Sequence, residues 1–308
     1  MCRVIAYLGE PLLLDGPLFA ASNSLVRQSF GARLMSLLNI GGFGMVAWDA
    51  RSSDATRPYV YRTPGVPVFD RNLKALAEKV HATAAIAHVR GVVYDPRERV
   101  GPQNLHPFHF PGARVVLAEN GDLHRFAEMR YDLLEHIGPE LMRYIEGTTD
   151  TEWVYALVLS RLADPFEPAT AEELADAVHA SLQILRDARE RRSINDQSPV
   201  NLVISDGESL VATRFCFDYG WYRGDGSFFD GEREFDFTTL WYAACYAFTP
   251  GADGWAMRYG PGEPRAALIA SEPLHDEHAD WLEVPEYSMV VITRSRDGIA
   301  VDVRELEL

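Results

Sequence analysis

Cysteine is scarce in this chain: Cys2, Cys216 and Cys245 are the three among 308 residues. A number so small and odd argues against a disulfide framework and for a reducing compartment, the cytoplasm. Basic residues are short as well, with 29 Lys and Arg against 45 Asp and Glu for a net charge of −16. No basic run carries interleaved aromatics, and an acidic surface repels phosphate backbones, so nucleic acid is not an expected partner. No stretch approaches the ~18 consecutive apolar residues of a membrane helix. Met1 to Tyr7 holds one early Arg and no apolar core followed by a small-residue cleavage site, so neither a membrane span nor a secretory leader is read. Internal repeats and low-complexity linkers are lacking too. What is present is a chain 47% apolar, close to the globular norm. Residues 1–308 are read as a single domain with ample length to bury a core.

Strand-like runs open the chain at Val4–Leu8, Gly44–Trp48, Ala84–His88 and Ala113–Ala118. Asn72 to His81 has helical spacing, with Leu73, Leu76, Ala77 and Val80 on one face. Three helices are expected in the middle. One spans about Leu123 to Ile137. The second runs from Asp150 to about Leu162 with Thr149 and Glu152 as a capping box, and the third from Ala171 to about Arg191 with Thr170 and Glu173 as another. Strands return at Asn201–Ser205 and Ser209–Thr213, across an Asp206-Gly207 turn. Trp241–Ala244, Ser288–Ile292 and Val301–Val303 follow. Strands, then helices, then strands imply an α+β fold.

Cys2 carries the most informative chemistry. If Met1 is removed, one residue holds both a thiol and a free α-amine. That amine has a reference pKa of about 7.7–8.0, so part of it is neutral at physiological pH and can take the thiol proton. Nucleophile and base then reside in a single residue. Retention of Met1 would block the amine in an amide and remove the base. Taken alone, a cysteine at position 2 is ordinary. His106 and His109, three apart, are read as loop residues rather than metal ligands, because a proline intervenes and no Cys or acid partner is near. Cys216 and Cys245 are read as buried apolar residues.

The context of Cys2 is more specific. Met-Cys-Arg-x-x-Ala-Tyr-Leu-Gly at the start is followed by Ser24-Leu25-Val26-Arg27-Gln28-Ser29 and Asn39-Ile40-Gly41-Gly42-Phe43-Gly44. Next come Ala87-His88-Val89-Arg90, Asn104-Leu105-His106-Pro107-Phe108, Glu119-Asn120-Gly121-Asp122-Leu123 and Thr149-Asp150-Thr151-Glu152. Leu240-Trp241-Tyr242-Ala243 and Ser271-Glu272-Pro273-Leu274 close the series. This ordered set resembles the class II glutamine amidotransferases, N-terminal-nucleophile hydrolases, and among them the stand-alone members such as the γ-glutamyl hydrolase of ergothioneine synthesis. The resemblance spans nearly the whole chain. It implies a four-layer αββα sandwich and cleavage of a γ-glutamyl amide through a Cys2 thioester, without metal or organic cofactor. It also implies that Arg90 grips the substrate α-carboxylate, as a guanidinium does through two parallel hydrogen bonds. Asp150 would meet the α-ammonium. The Asn120 side-chain amide and the Gly121 N–H would form the oxyanion hole. Asn39, Gly42 and His106 are expected as structural support around the nucleophile.

Three positions depart from the family pattern. Val93 stands where a Thr hydroxyl usually helps hold the substrate, Glu119 replaces the usual His before Asn-Gly, and Gly41 replaces an Asp. The expected substrate is glutamine or another γ-glutamyl compound, and these departures weigh against free glutamine. Two alternatives stay open: a glutaminase subunit delivering ammonia to a separate synthetase partner, and a non-catalytic binding protein on the same fold. A homo-oligomer is also left open.

Overall fold

The computed structural model describes residues 2–34, 38–91, 101–218, 238–251, 254–276 and 280–308. Met1 and Val93 therefore lie outside the described residues. In chain order, β1 (Arg3–Leu13) is followed by α1 (Leu25–Gly31), β2 (Phe43–Trp48), β3 (Tyr59–Thr63), α2 (Arg71–Ala77) and β4 (His81–Val89). Next, β5 (Val116–Gly121) leads into α3 (Phe126–Met129), α4 (Pro139–Met142), α5 (Asp150–Leu159) and α6 (Ala171–Arg191). The chain then returns to strands with β6 (Ser198–Ser205), β7 (Ser209–Arg214), β8 (Cys216–Phe217), β9 (Trp241–Cys245), β10 (Ala247–Gly251) and β11 (Gly254–Arg258). It ends with β12 (Ala266–Ala270), β13 (Leu282–Glu283), β14 (Ser288–Arg294) and β15 (Ile299–Glu305).

Among the described residues, one sheet has the order β13-β9-β12-β1-β4-β2-β3 and the other β15-β14-β7-β6-β5, with β8 paired to β6 and β10–β11 a separate hairpin. Neighbouring strands pair antiparallel throughout. Alternation along each strand sorts the core into layers. In β1, Val4, Ala6 and Leu8 face the second sheet and meet Val116, Ala118, Val203, Ala212 and Val290. Ile5 and Tyr7 point the other way, into a layer with Leu25 of α1 and Leu73 and Ala77 of α2. On the far side, Leu117, Leu202, Ile204 and Val211 pack under α5 and α6 through Val154, Tyr155, Val158, Leu174, Val178 and Leu182. The result is α+β in four layers, αββα, as the sequence implied. A strand buried on both faces needs a continuous apolar run, and β1 has one from Val4 to Leu8. No helix among the described residues is long and apolar enough to cross a membrane.

The expected elements are present with three differences, and α1, β3, α4, β8, β10, β11, β12 and β13 stand beyond those expected. The first expected helix, α2, ends at Ala77, before a turn into β4, although Asp70 caps its start by accepting the Asn72 and Leu73 N–H groups, each at 3.0 Å. The expected helix over Leu123–Ile137 is broken. Arg125 sits at φ 57, outside the helical region, so α3 starts only at Phe126 and Arg130–His136 continues as a tighter 3-10 helix. The capping box at Thr149 does not form. Glu152 instead turns its carboxylate back to accept the Glu146 and Gly147 N–H groups at 3.1 and 2.7 Å, satisfying the loop before the helix. The box at Thr170 and Glu173 forms in both directions.

This contrast is measurable. Thr170→Ala is expected to lower stability by about 1 kcal/mol, the usual worth of an N-cap. Thr149→Ala removes a hydroxyl that makes no hydrogen bond and is expected to cost distinctly less. Urea unfolding of both variants checks this, and equal losses would contradict the assignment.

Candidate active site

Cys2 stands at the head of β1, a strand flanked by β4 and β12. Its Sγ accepts the Gly91 N–H at 3.3 Å, which places it at the outgoing end of β4 beside Arg90. Burial pushes the Cys2 thiol up, opposed by the Gly91 N–H and the Arg90 charge. At rest the sulfur is therefore a neutral thiol that needs a base to become a nucleophile.

An ion pair holds this end of the strand. Arg3, 2% exposed, meets the fully buried Glu272 through Nε and Nη2, both at 3.1 Å from Oε1. Its Nη1 donates to the Cys2 carbonyl at 2.9 Å. The other Glu272 oxygen accepts the Arg33 N–H at 2.7 Å and the Asn23 amide at 3.4 Å. The neighbouring residue completes the clamp, since Ser271 N–H donates to the Val4 carbonyl at 2.9 Å and its Oγ accepts the Val4 N–H at 3.0 Å.

The same Ser271 Oγ accepts from the Asn120 amide at 3.2 Å. Asn120 is fully buried at the end of β5, on the face turned toward the first sheet, so one hydroxyl joins it to the backbone two residues after Cys2. Gly121 follows. An added Cβ there would stand 2.0 Å from the Pro199 carbonyl oxygen, a distance no side chain tolerates, so only glycine fits beside β6.

Arg90 is held through its backbone. Its N–H donates to the Gly42 carbonyl at 2.9 Å and its carbonyl accepts the Gly41 N–H at 2.8 Å. Gly42 adopts φ +117, a conformation that favours glycine, so the segment can lie along Arg90. Asn39 anchors that segment to α1, its N–H donating to Ser29 O at 2.7 Å and its side-chain amide to Gln28 O at 3.3 Å. His106 lies against His88 with ring centroids 4.4 Å apart, and its Nδ1 is 3.0 Å from the Glu119 carbonyl oxygen. Burial, reinforced by Arg90, lowers His106 to about 3, so it stays neutral. His109 turns instead to the Ala113 carbonyl at 2.9 Å, which fits a loop residue.

Asp150 opens α5. Its Oδ2 accepts the Leu123 N–H at 2.6 Å and its Oδ1 accepts the Thr151 N–H at 2.8 Å. Burial and the nearby Asp122 push it up to about 6, against the hydrogen bonds that favour its charge. Cys2, Arg90, Gly42 and Asn39 thus form one connected group, Asn120 joins it through Ser271, and Asp150 approaches from the helix side of β5. The roles of Arg3, Ser271, Glu272 and Thr151 were not assigned from sequence. Arg3 and Ser271–Glu272 lay within conspicuous motifs, and a charged residue inside a strand covered on both faces was the available signal.

Comparison with known proteins bears on the family and the fold. Residues 66–217 match the description of glutamine amidotransferases, class II. A probable glutamine amidotransferase of Saccharomyces cerevisiae is 26% identical over 321 residues, covering 96% of this chain and 82% of that protein. The chain belongs to the class II glutamine amidotransferase family. Its fold is shared with a class-II domain protein of Silicibacter pomeroyi, described as a glutamine aminotransferase, at 19% identity and TM-score 0.58 over 100% of both chains. It is shared also with the glutamine phosphoribosylpyrophosphate amidotransferase of B. subtilis, at 16% identity and TM-score 0.55, over 98% of this chain and 49% of that one.

The Arg3–Glu272 pair gives a stability test. Glu272→Gln leaves a buried guanidinium without its counter-charge and is expected to cost about 3–5 kcal/mol. Replacing both partners with apolar residues, Arg3→Met with Glu272→Leu, is expected to cost less than the single change. Denaturant midpoints measure both, and a loss below about 1 kcal/mol for Glu272→Gln would remove the pair from this role.

Proposed function

We propose that the chain is an amidohydrolase that cleaves the γ-glutamyl amide bond of a modified γ-glutamyl compound, with Cys2 as nucleophile after removal of Met1. The observation that carries this reading is the position of Cys2, buried at the head of a central strand beside Arg90 and Gly91, with the Asn120 amide tied to the same strand end. The proposal treats residues 1–308 as one glutaminase-type domain in a reducing compartment.

In the proposed reaction Arg90 pairs with the α-carboxylate and Asp150 with the α-ammonium, leaving the γ-carbonyl before the Cys2 sulfur. The neutral α-amine of Cys2 takes the thiol proton as sulfur attacks carbon. Charge developing on the carbonyl oxygen is met by the Asn120 amide and the Gly121 N–H, donors worth on the order of 10²–10³ each in turnover. The Cys2 ammonium returns its proton to the leaving amine, the C–N bond breaks, and a thioester remains. Water, deprotonated by the same amine, adds to the thioester, and glutamate departs with the thiol restored. Burial holds His88 and His106 neutral, so neither adds to the charge that Arg90 presents to a carboxylate. The Glu119 replacement, together with Val93, supports a substrate other than free glutamine.

Glutamate release from a panel of γ-glutamyl amides, including sulfur-containing ones and glutamine, tests the reading. Intact mass on the same sample is expected to show Met1 absent. Cys2→Ala is expected to lower turnover by ~10⁴ or more, as removal of a nucleophile does. Turnover only when a synthetase is added would select the ammonia-donating subunit. No turnover with Met1 absent would select a binding protein.

Asp150 supplies a pH test. With its carboxyl raised to about 6, it is neutral below that value and cannot pair with an ammonium. We expect kcat/KM to fall as pH drops through about 6, and Asp150→Asn to raise KM and abolish that limb. The stability linkage has the opposite sense. The neutral form favours folding below the ordinary carboxylate range, and this contribution is lost as pH rises through about 6. A pH profile flat to pH 5 would contradict the assignment.

A further inference from the structure

Glu119 is fully buried at the end of β5, on the face away from Asn120 and beneath the first turn of α5. Its Oε2 accepts the Thr151 hydroxyl at 2.7 Å, while the same hydroxyl lies 3.3 Å from Asp150 Oδ1. Asp150 Oδ2 in turn accepts the Leu123 N–H at 2.6 Å. These contacts close a ring. One side is the backbone arc from Glu119 through Asn120 and Gly121 to Leu123, and the other is Asp150 with Thr151. Glu119 also abuts the arc directly, because a Cβ on Gly121 would stand 2.9 Å from its Oε1.

The Thr151 hydroxyl has a single proton and two carboxyl groups within reach. The shorter contact sends it to Glu119, and Asp150 Oδ1 keeps the lone pair that the hydroxyl would otherwise occupy. We propose that Glu119 is a positioning residue for substrate recognition: by holding the Thr151 hydroxyl it keeps Asp150 open to the substrate ammonium and fixes the span between Asp150 and the Asn120–Gly121 donors. This deepens, and rests on, the γ-glutamyl reading of the site. Burial and the neighbouring Asp150 keep the Glu119 carboxyl well above its usual range, so it acts as a neutral acceptor that glutamine can imitate. The usual His at this position leaves no carboxyl to receive the Thr151 hydroxyl.

The inference separates from a merely structural role through a double-mutant cycle on the full chain. Glu119→Ala frees the hydroxyl to turn to Asp150 and is expected to raise KM about ten-fold, with kcat changed less than three-fold, the scale of one hydrogen bond to a charged group. Glu119→Gln is expected to restore most of the lost affinity. In a Thr151→Val background, where no hydroxyl can turn, Glu119→Ala is expected to add less than two-fold. Calorimetry with L-glutamate on the same variants should give the same pattern in Kd. Additive effects, failure of Gln to restore affinity, a loss confined to kcat, or no glutamate binding by the unmodified protein would each overturn the proposal. Loss of cleavage with the glutamate pattern intact would instead remove the hydrolase reading and leave the role of Glu119 standing.

Discussion

The placement of Cys2 depends on a charge pair removed from water. Segments near a chain end fray unless they are tied down, so a side chain at position 2 holds one place only if the strand it heads is anchored. Arg3 solves this by burying its guanidinium against Glu272 and reaching back to the Cys2 carbonyl. With both charges buried and bonded to each other, the register of β1 against β12 and the direction of Cys2 are fixed together. Ser271, adjacent to Glu272, extends the same constraint to Asn120. One short segment from late in the chain thereby sets the relative position of residues near its beginning and middle.

The sandwich supplies the remaining order. Strand ends from both sheets converge where Cys2, Arg90 and Asn120 lie, and alternation decides which side chains enter the space between the sheets. Asn120 turns inward with Ala118 and Val116, while Glu119 turns outward with Leu117 toward α5. Consecutive residues thus serve two layers. The inward one faces β1 and the outward one meets the helix that bears Asp150.

Much of this was legible before the structure. Apolar runs such as Val4–Leu8 and Val290–Ile292 can hardly be anything but buried strands, and the Thr170–Glu173 signature marked α6 because its cap is local. The expected site residues Cys2, Arg90, Asn120 and Asp150 were named from an ordered resemblance that no single spacing would have carried. Illegible were the contacts made at long range. Thr149–Glu152 has the same signature as Thr170–Glu173, yet Glu152 answers the preceding loop instead, a choice set by tertiary packing rather than by the four residues themselves. Arg125 could not be seen as a helix breaker, because nothing in an arginine side chain favours the positive φ it adopts. The pairing of residue 3 with residue 272 joins positions too distant for any periodicity to relate.

The burial of the Cys2 sulfur has a consequence for durability. A thiol held neutral by its surroundings is a slow partner for peroxides and alkylating reagents, which react with thiolate. In the proposed reaction it is activated only as the neighbouring amine removes its proton. Burial thus gives this sulfur less contact with such reagents than an open, acidic cysteine would have, and the fold takes the place of a protecting group.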